Sequence, residues 1–574
     1  MKLPLSVAAL ATAVLAFGCE VGPNYKPPVV KVNPSFGELA QFTPTTEPTT
    51  RPESPEIALT KVTQDPAKLD QWWTVFNDHE LNSLIDRAFK GNLDLQQATS
   101  RLREARYEEV IARAGLFPTV NADGGEQHAR GSKNVSIPFG AFGGSSSSSG
   151  SSSGGNSSGG GNSSGTATPA AARQITPAFG SSGNSSTGTV SGGGGGGGAT
   201  IGNVAGPSKL SPPSEPLGPA SPLGAGGLPN VITDVYQVGF DATWELDVFG
   251  GQRREMEAAN ADAQAAAEDR RDVWVSLAAE VARDYIELRG VQRQENIARE
   301  NLATQQDTLY LTRSRFNNGF VTELDVDRQA AQVATTAAEI PPLVSQSRQL
   351  IHALSVLLGE DPNSLADELV TPNIIPPVPP EVPVGLPSDL LRRRPDVRRA
   401  ERQLAAATAR IGVATADMFP KFSITGVVGF DTTKPKYLFD WSSHYYAVTP
   451  GVSWPILNAG QIQANINVQN EEQQQALLGY QQTVLNALKD VEDSLVEYRT
   501  EELRRRALTD AVTADRRAVD LARQQYQQGV VDFETVLDSQ RELLVAEDAL
   551  AQSDRDVSDD LVALYKALGG GWTL

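Results

Sequence analysis

One thiol and one pair of carboxylates are the side chains in this 574-residue sequence whose type and spacing invite chemistry. The thiol is Cys19, the only cysteine, so the chain can close no internal disulfide and build no cysteine metal site. Modification of its own sulfur is what remains to it. The carboxylates are Glu534 and Asp538, whose spacing of four puts both on one face of a helix. In so acidic a chain that face can be an ordinary solvated one. Catalytic and cofactor motifs are missing: His79, His128, His352 and His444 are scattered, no glycine-rich phosphate loop follows a strand, and no serine nucleophile motif occurs. Gly192 to Gly198 is low complexity. No enzyme, metal or cofactor is expected. A net charge of −20 argues against nucleic acid as a partner. The short basic run Arg392-Arg393-Arg394 is followed by Pro395 and Asp396, which reads as a helix start.

The position of Cys19 gives it meaning. Lys2, the apolar run Leu3 to Phe17 and Gly18 have the layout of a secretory signal, too short for a comfortable membrane span. A small residue before the cysteine at the end of such a signal resembles the bacterial lipoprotein cleavage box, with Ala16 in the slot that Leu15 misses by one. The alternative is a periplasmic protein with a buried thiol. Cleaved and acylated, the chain starts at Cys19 and is stably anchored by several acyl chains. Glu20 follows, so no aspartate marks retention in the inner membrane. Residues 1–18 are then the signal peptide, and 19–68, rich in Pro, Thr and Val, an extended acylated tether.

The elements beyond residue 68 occur twice in one order. A helical stretch ends at Phe117-Pro118 and turns into a strand, and the same happens at Phe419-Pro420. A strand ends at Trp244 to Gln252, its counterpart at Trp454 to Gln461. Proline-free helical stretches then run from Gln252 to Phe316 and from Gln461 to Tyr526, each roughly 100 Å long at the helical rise. Two amide side chains and a glycine end each of them, at Gly319 and Gly529, as expected for helical hairpins. Leu477, Tyr480, Val484, Ala487, Val491, Leu495 and Tyr498 step by three and four, a coiled-coil seam. Shorter helices are expected at 93–116, 322–358, 388–417 and 535–568. Repeats of 69–370 and 388–574, joined by a proline-rich linker at 371–387, make the chain a tandem duplication. Strands are expected from Thr119 to about Gly125 and from Thr233 to Phe249, where Tyr236, Val238, Phe240, Ala242 and Trp244 alternate with polar residues. Between them, about 124–229, lies a Gly/Ser-rich insert that cannot form a core and reads as a disordered hairpin loop.

Two hairpins supply four strands, and an outer-membrane barrel needs at least eight. Copies must share one barrel, as a dimer or a trimer. The segments GCEVGPNYKPP (18–28), LLRRRPDVRRAERQLAAATARIGVATADMFP (390–420), YQQGVVDFETVLDSQ (526–540) and ALYKALGGGW (563–572) closely resemble the TolC-type outer-membrane factors, in the lipoprotein branch represented by OprM and NodT. The resemblance implies a mainly α fold with a β-barrel part. Three chains would form a twelve-stranded outer-membrane barrel, four strands from each, continuing into a coiled-coil α-helical tunnel across the periplasm. It implies a homotrimer among outer-membrane lipids, lipid-anchored and extending into the periplasm. Its partners would be a periplasmic adaptor and an inner-membrane pump, commonly of the RND type.

The resemblance puts Asp538 where the family has a carboxylate ring narrowing the periplasmic mouth, with Glu534 one turn earlier in place of an apolar residue. Gly319 and Gly529 would lie at the periplasmic tips that meet the adaptor, and Phe117, Pro118, Phe419 and Pro420 at the membrane interface. Two function classes follow: an exit duct of a tripartite efflux or export system, or a non-conducting coiled-coil envelope scaffold. Strands with one polar face favour the duct.

Overall fold

A computed structural model describes residues 20–28, 35–39, 60–63, 69–130 and 232–572. The helices are α1 (His79–Gly91), α2 (Leu93–Ala114), α3 (Gly251–Asn317), α4 (Glu323–Leu357), α5 (Pro387–Arg393), α6 (Pro395–Ala416), α7 (Gln461–Gln527) and α8 (Phe533–Ala567). The strands are β1 (Lys61–Thr63), β2 (Thr119–Arg130), β3 (Ile232–Leu246), β4 (Glu381–Pro383), β5 (Lys421–Thr432) and β6 (His444–Ser453). The chain divides into two compact units. One comprises the helices with residues up to Val120, Ala242–Gly426 and from Ala447 onward; the other comprises Asn121–Asp241 and Val427–Tyr446.

Element lengths match in pairs along the chain. Helices α2 and α6 have 22 residues each, α3 and α7 have 67, and α4 and α8 have 35. Both long helices stop on the same signal. Gly319 and Gly529 each have φ of 75°, a left-handed conformation that costs glycine nothing. Their amides donate to Phe316 and Tyr526, while Phe320 and Val530 reach back to Arg315 and Gln525, closing a Schellman turn at each tip.

The main core lies across the middle of the helical unit. Trp72, Trp73 and Phe76 pack with Leu81, Leu84 and Ile85 of α1 against Val281, Tyr285 and Ile286 of α3 and Leu561 and Tyr565 of α8. Trp72 stacks on Tyr565 at 5.4 Å. The predicted seam on α7 is buried from Tyr480 to Tyr498. A fully buried arginine, Arg289, ties this core together through Glu80, Gln292 and the Thr371 carbonyl, and lies 4.9 Å over the Tyr285 ring.

Three expectations change. The helix expected at 388–417 is two helices, because Pro395 cannot donate to the preceding turn and forces Arg394 into an extended conformation. Strand β2 runs on to Arg130, past Gly124 and Gly125. Ladder bonds are made by the backbone, so a polar, glycine-containing run extends wherever a partner strand is supplied. Thr119 bonds Thr243, Asn121 bonds Asp241, and His128 meets Asp234 in one antiparallel register. The insert therefore begins after Arg130, and residues 131–231 lie outside the described residues. Finally, the described parts of the segment 19–68 are docked, not free. Phe36 sits in the main core, the Gly37 and Glu38 amides donate to Glu492, Thr60 donates to Glu502, and β1 pairs in parallel with β4. Local pattern carries no trace of this, since Glu492 is 455 positions from Gly37.

Candidate functional site

The tips of the two helical hairpins carry the expected site residues. Behind Gly529, an apolar cluster of Ala522, Tyr526, Phe533, Val536 and Leu537 holds α7 to α8, with Val321 packed against it. Arg315 crosses from the other hairpin. Its Nη1 donates to the Tyr526 carbonyl at 2.8 Å, and its guanidinium lies 4.4 Å from the centre of the Tyr526 ring. Phe320 and Val530, next to the two tip glycines, are exposed.

Glu534 and Asp538 lie on α8, one turn apart, both solvent-exposed in the single chain. Each has an arginine nearby: Glu534 is 3.6 Å from Arg328 of α4, and Asp538 is 3.9 Å from Arg541. Carboxylates repeated about an axis would therefore bring arginines with them. Exposed pairs of this kind contribute little to stability, so their consequence is electrostatic.

Between tip and core, the two hairpins meet along a polar seam. Gln294, Asn301, Thr308 and Arg315 recur every seven residues on α3, where a coiled coil would place apolar knobs. They bond Asp548, Glu547, Gln540 and the Tyr526 carbonyl at 2.6, 3.1, 3.3 and 2.8 Å. Arg541 of α8 donates to Gln332 of α4 at 2.8 Å. The side-chain oxygens of Gln305, Gln329 and Gln540 are buried there without a partner. Nearby hydroxyls cannot serve them, because Thr308 and Thr312 donate within their own helix.

Cys19 lies outside the described residues, but the strap that follows it is locked in place. Val21 donates to the Phe249 carbonyl at 3.2 Å, where β3 hands over to α3. Arg254, 3% exposed, donates from Nε to the Val21 carbonyl at 3.2 Å and from Nη2 to Asn24 Oδ1 at 2.6 Å. A Cβ at Gly22 would run into the Cα of Gly412 on α6, and Gly22 has φ of +90°. Tyr25 donates to Glu401 at 3.1 Å and rests on Ala261, Ala405 and Ala406. Arg254 and Gly412 were not singled out from the sequence; the run GCEVGPNYKPP was the available signal, without its receptor.

The junction residues occupy matching turns. Phe117 and Phe419 donate to the Ala114 and Ala416 carbonyls at 3.0 Å each, and Pro118 and Pro420 precede β2 and β5 directly. Phe117 is exposed, whereas Phe419 stacks on Phe249 at 4.6 Å. Among the described residues no helix is long and apolar enough to cross a membrane, and no His/Cys/Asp/Glu group could hold a metal ion.

Hairpins of long helices joined to a four-stranded sheet of order β2-β3-β5-β6 are the fold of the TolC-like outer-membrane channels with a helical tunnel. The outer-membrane channel OprN is 29% identical with a TM-score of 0.74, over 96% of this chain and 100% of that one. The pyoverdine export outer membrane protein OpmQ of Pseudomonas aeruginosa is 28% identical over 514 residues, 88% of this chain and 89% of that protein. Nodulation protein T of Rhizobium leguminosarum bv. trifolii is 27% identical over 565 residues, 98% of this chain and 96% of that protein. The profile of the outer membrane efflux protein family matches residues 218–360 and 386–570. The chain belongs to that family. It is an outer-membrane efflux channel, the exit duct of a tripartite system, in a family of non-enzymatic transport proteins that work with periplasmic adaptors and inner-membrane pumps.

Proposed function

We propose that this duct is a homotrimeric lipoprotein whose three copies close one twelve-stranded barrel and one helical tunnel. The observation that carries the reading is that every layer of the chain has two open ends. The sheet ends in β2 and β6. In the helical unit α2, α3, α6 and α7 pack in a row, and so do α4, α3, α8 and α7. The end helices expose apolar side chains that no described residue covers: Tyr107, Val110 and Ile111 on α2, and Leu478 and Leu485 on α7. A head-to-tail ring buries both ends at once and leaves no sheet edge. Exposed Val120, Phe240, Val428, Tyr446, Val448 and Val452 on the strands suit a lipid-facing surface. Paired helix lengths support the tandem duplication.

In this reading Cys19 carries the acyl anchor, Gly319 and Gly529 mark the tips that meet the adaptor, and the pump is of the RND type. Phe117 and Phe419 anchor at the membrane interface. Glu534 and Asp538 ring the periplasmic mouth, offset in part by Arg328 and Arg541. Reconstituting the wild type and Glu534→Ser/Asp538→Ser in planar bilayers tests the mouth. The double variant should show weaker cation selectivity and lose block by divalent or trivalent cations. Equal reversal potentials and equal block in the two proteins would refute the assignment.

A further inference from the structure

Two arginines of the helical unit that meet no carboxylate at ion-pair distance and no aromatic ring face the same cleft. Arg293 of α3 and Arg505 of α7 line a cavity of about 600 Å³ together with Asn296, Asp554 and Ser558. The segment Pro372 to Val378 forms its remaining wall. Neither guanidinium makes an ion pair or a side-chain hydrogen bond among the described residues, and the Nε of Arg505 is buried with no acceptor. A buried donor left open is costly, and an ion or water in the adjoining space is its ordinary explanation.

Asp554 does not fill that role. Both arginines act on it electrostatically, yet neither comes within ion-pair distance, so a gap is left between them. Burial raises the Asp554 carboxyl above its usual range, and Arg505 and then Arg293 pull it back only in part. The far wall supplies apolar surface through Ile374, Ile375, Pro376, Pro377 and Val378, and it is pinned because Ser558 Oγ donates to the Pro376 carbonyl at 3.1 Å. Two planar forks opposite a rigid apolar wall match an oxyanion carried on an apolar body. The volume is in the usual range for a small-molecule site.

From this we infer that the cleft between α3, α7, α8 and the Pro372–Val378 segment binds a small organic anion, its carboxylate or phosphate held by Arg293 and Arg505. The anion would join both helical hairpins and the segment linking the two halves of the chain, so its occupancy stiffens the unit that carries them. The site is separate from the tips and needs no conduction to be detected.

The test is equilibrium binding to the purified, detergent-solubilised full chain, followed by ligand-observed NMR. Benzoate and phenyl phosphate are the anionic probes, and benzamide is the neutral one. Saturable binding of either anion, absent for benzamide, is expected, and the preferred anion identifies the headgroup chemistry. Arg293→Gln should weaken binding at least about tenfold, the loss of one charged contact. Arg293 is exposed at the cleft mouth, so this variant folds; Arg505→Lys is the second, keeping the charge and losing the fork, and should weaken binding too. No saturable binding of either anion, equal binding of benzamide, or affinity unchanged in Arg293→Gln would each overturn the proposal.

Discussion

Replacing Arg254 by alanine should release the strap that follows Cys19 while leaving the helical core folded. The side chain is 3% exposed and holds the strap by two hydrogen bonds, to the Val21 carbonyl and to Asn24 Oδ1. Glu20 is 3.6 Å away and adds a weaker ion pair. Bonds from a charged donor contribute about 1.5–3 kcal/mol each, so their loss costs docking about 3–6 kcal/mol. That is roughly two to four powers of ten in the docked-to-free ratio. Glu257, the remaining partner, is partly exposed and stays hydrated once alone, so no further penalty arises. Two hydrogen bonds survive, Val21 to Phe249 and Tyr25 to Glu401, with the packing of Tyr25, and they should hold the strap only part of the time. Hydrogen–deuterium exchange of the peptide covering residues 20–28 is the assay. Exchange should quicken by at least about a hundredfold in Arg254→Ala, less in Arg254→Lys, with peptides from α1 and α8 unchanged. Exchange at 20–28 equal to that of the wild type would refute the argument that Arg254 is the latch.

Four further outcomes can be checked. Gln540→Leu removes an orphaned acceptor and only a 3.3 Å bond to Thr308, so it should stabilise the chain by about 1 kcal/mol in thermal denaturation; a loss of that size would show that the oxygen has a partner. Burial lifts Asp559 to about 8 and Asp560 to about 7, well above the value near 3.9 of an unfolded aspartate. The native state then holds more protons between about pH 4 and 8, so stability should fall as pH rises through that window. Asp559→Asn should raise the melting temperature at pH 8.5 and flatten the trend, whereas an unchanged slope would contradict it. Cys19→Ser should abolish palmitate labelling while leaving a channel that inserts more poorly; undiminished labelling excludes Cys19 as the acylation site. Replacing residues 131–231 by a short glycine-containing turn should leave oligomer yield and transport intact, because closing a longer loop costs only slowly more; loss of the oligomer would show that the insert is needed for assembly.

Much of the fold was legible because its signals are local. Periodicity over 67 residues, a glycine after paired amides and a proline after an aromatic act within a few turns of their own backbone. The helical hairpins and the strand-to-helix hand-overs therefore appear in the sequence at close to their final bounds. The proximity of Glu534 and Asp538 on one face is equally local, since helix geometry requires it.

Tertiary structure alone decided what meets across long separations. Nothing near Val21 says that Arg254 will receive it, and nothing near Gly37 predicts Glu492. Each contact joins a distant side chain to a backbone carbonyl or amide, which every residue owns and no pattern marks. The same holds for the arginine beside Glu534, which comes from α4. Burial of Arg289, of the glutamine seam and of Asp559 also escapes a linear reading. Polar side chains are written alike whether they face water or a neighbouring helix, and only packing withdraws the water that sets their energy.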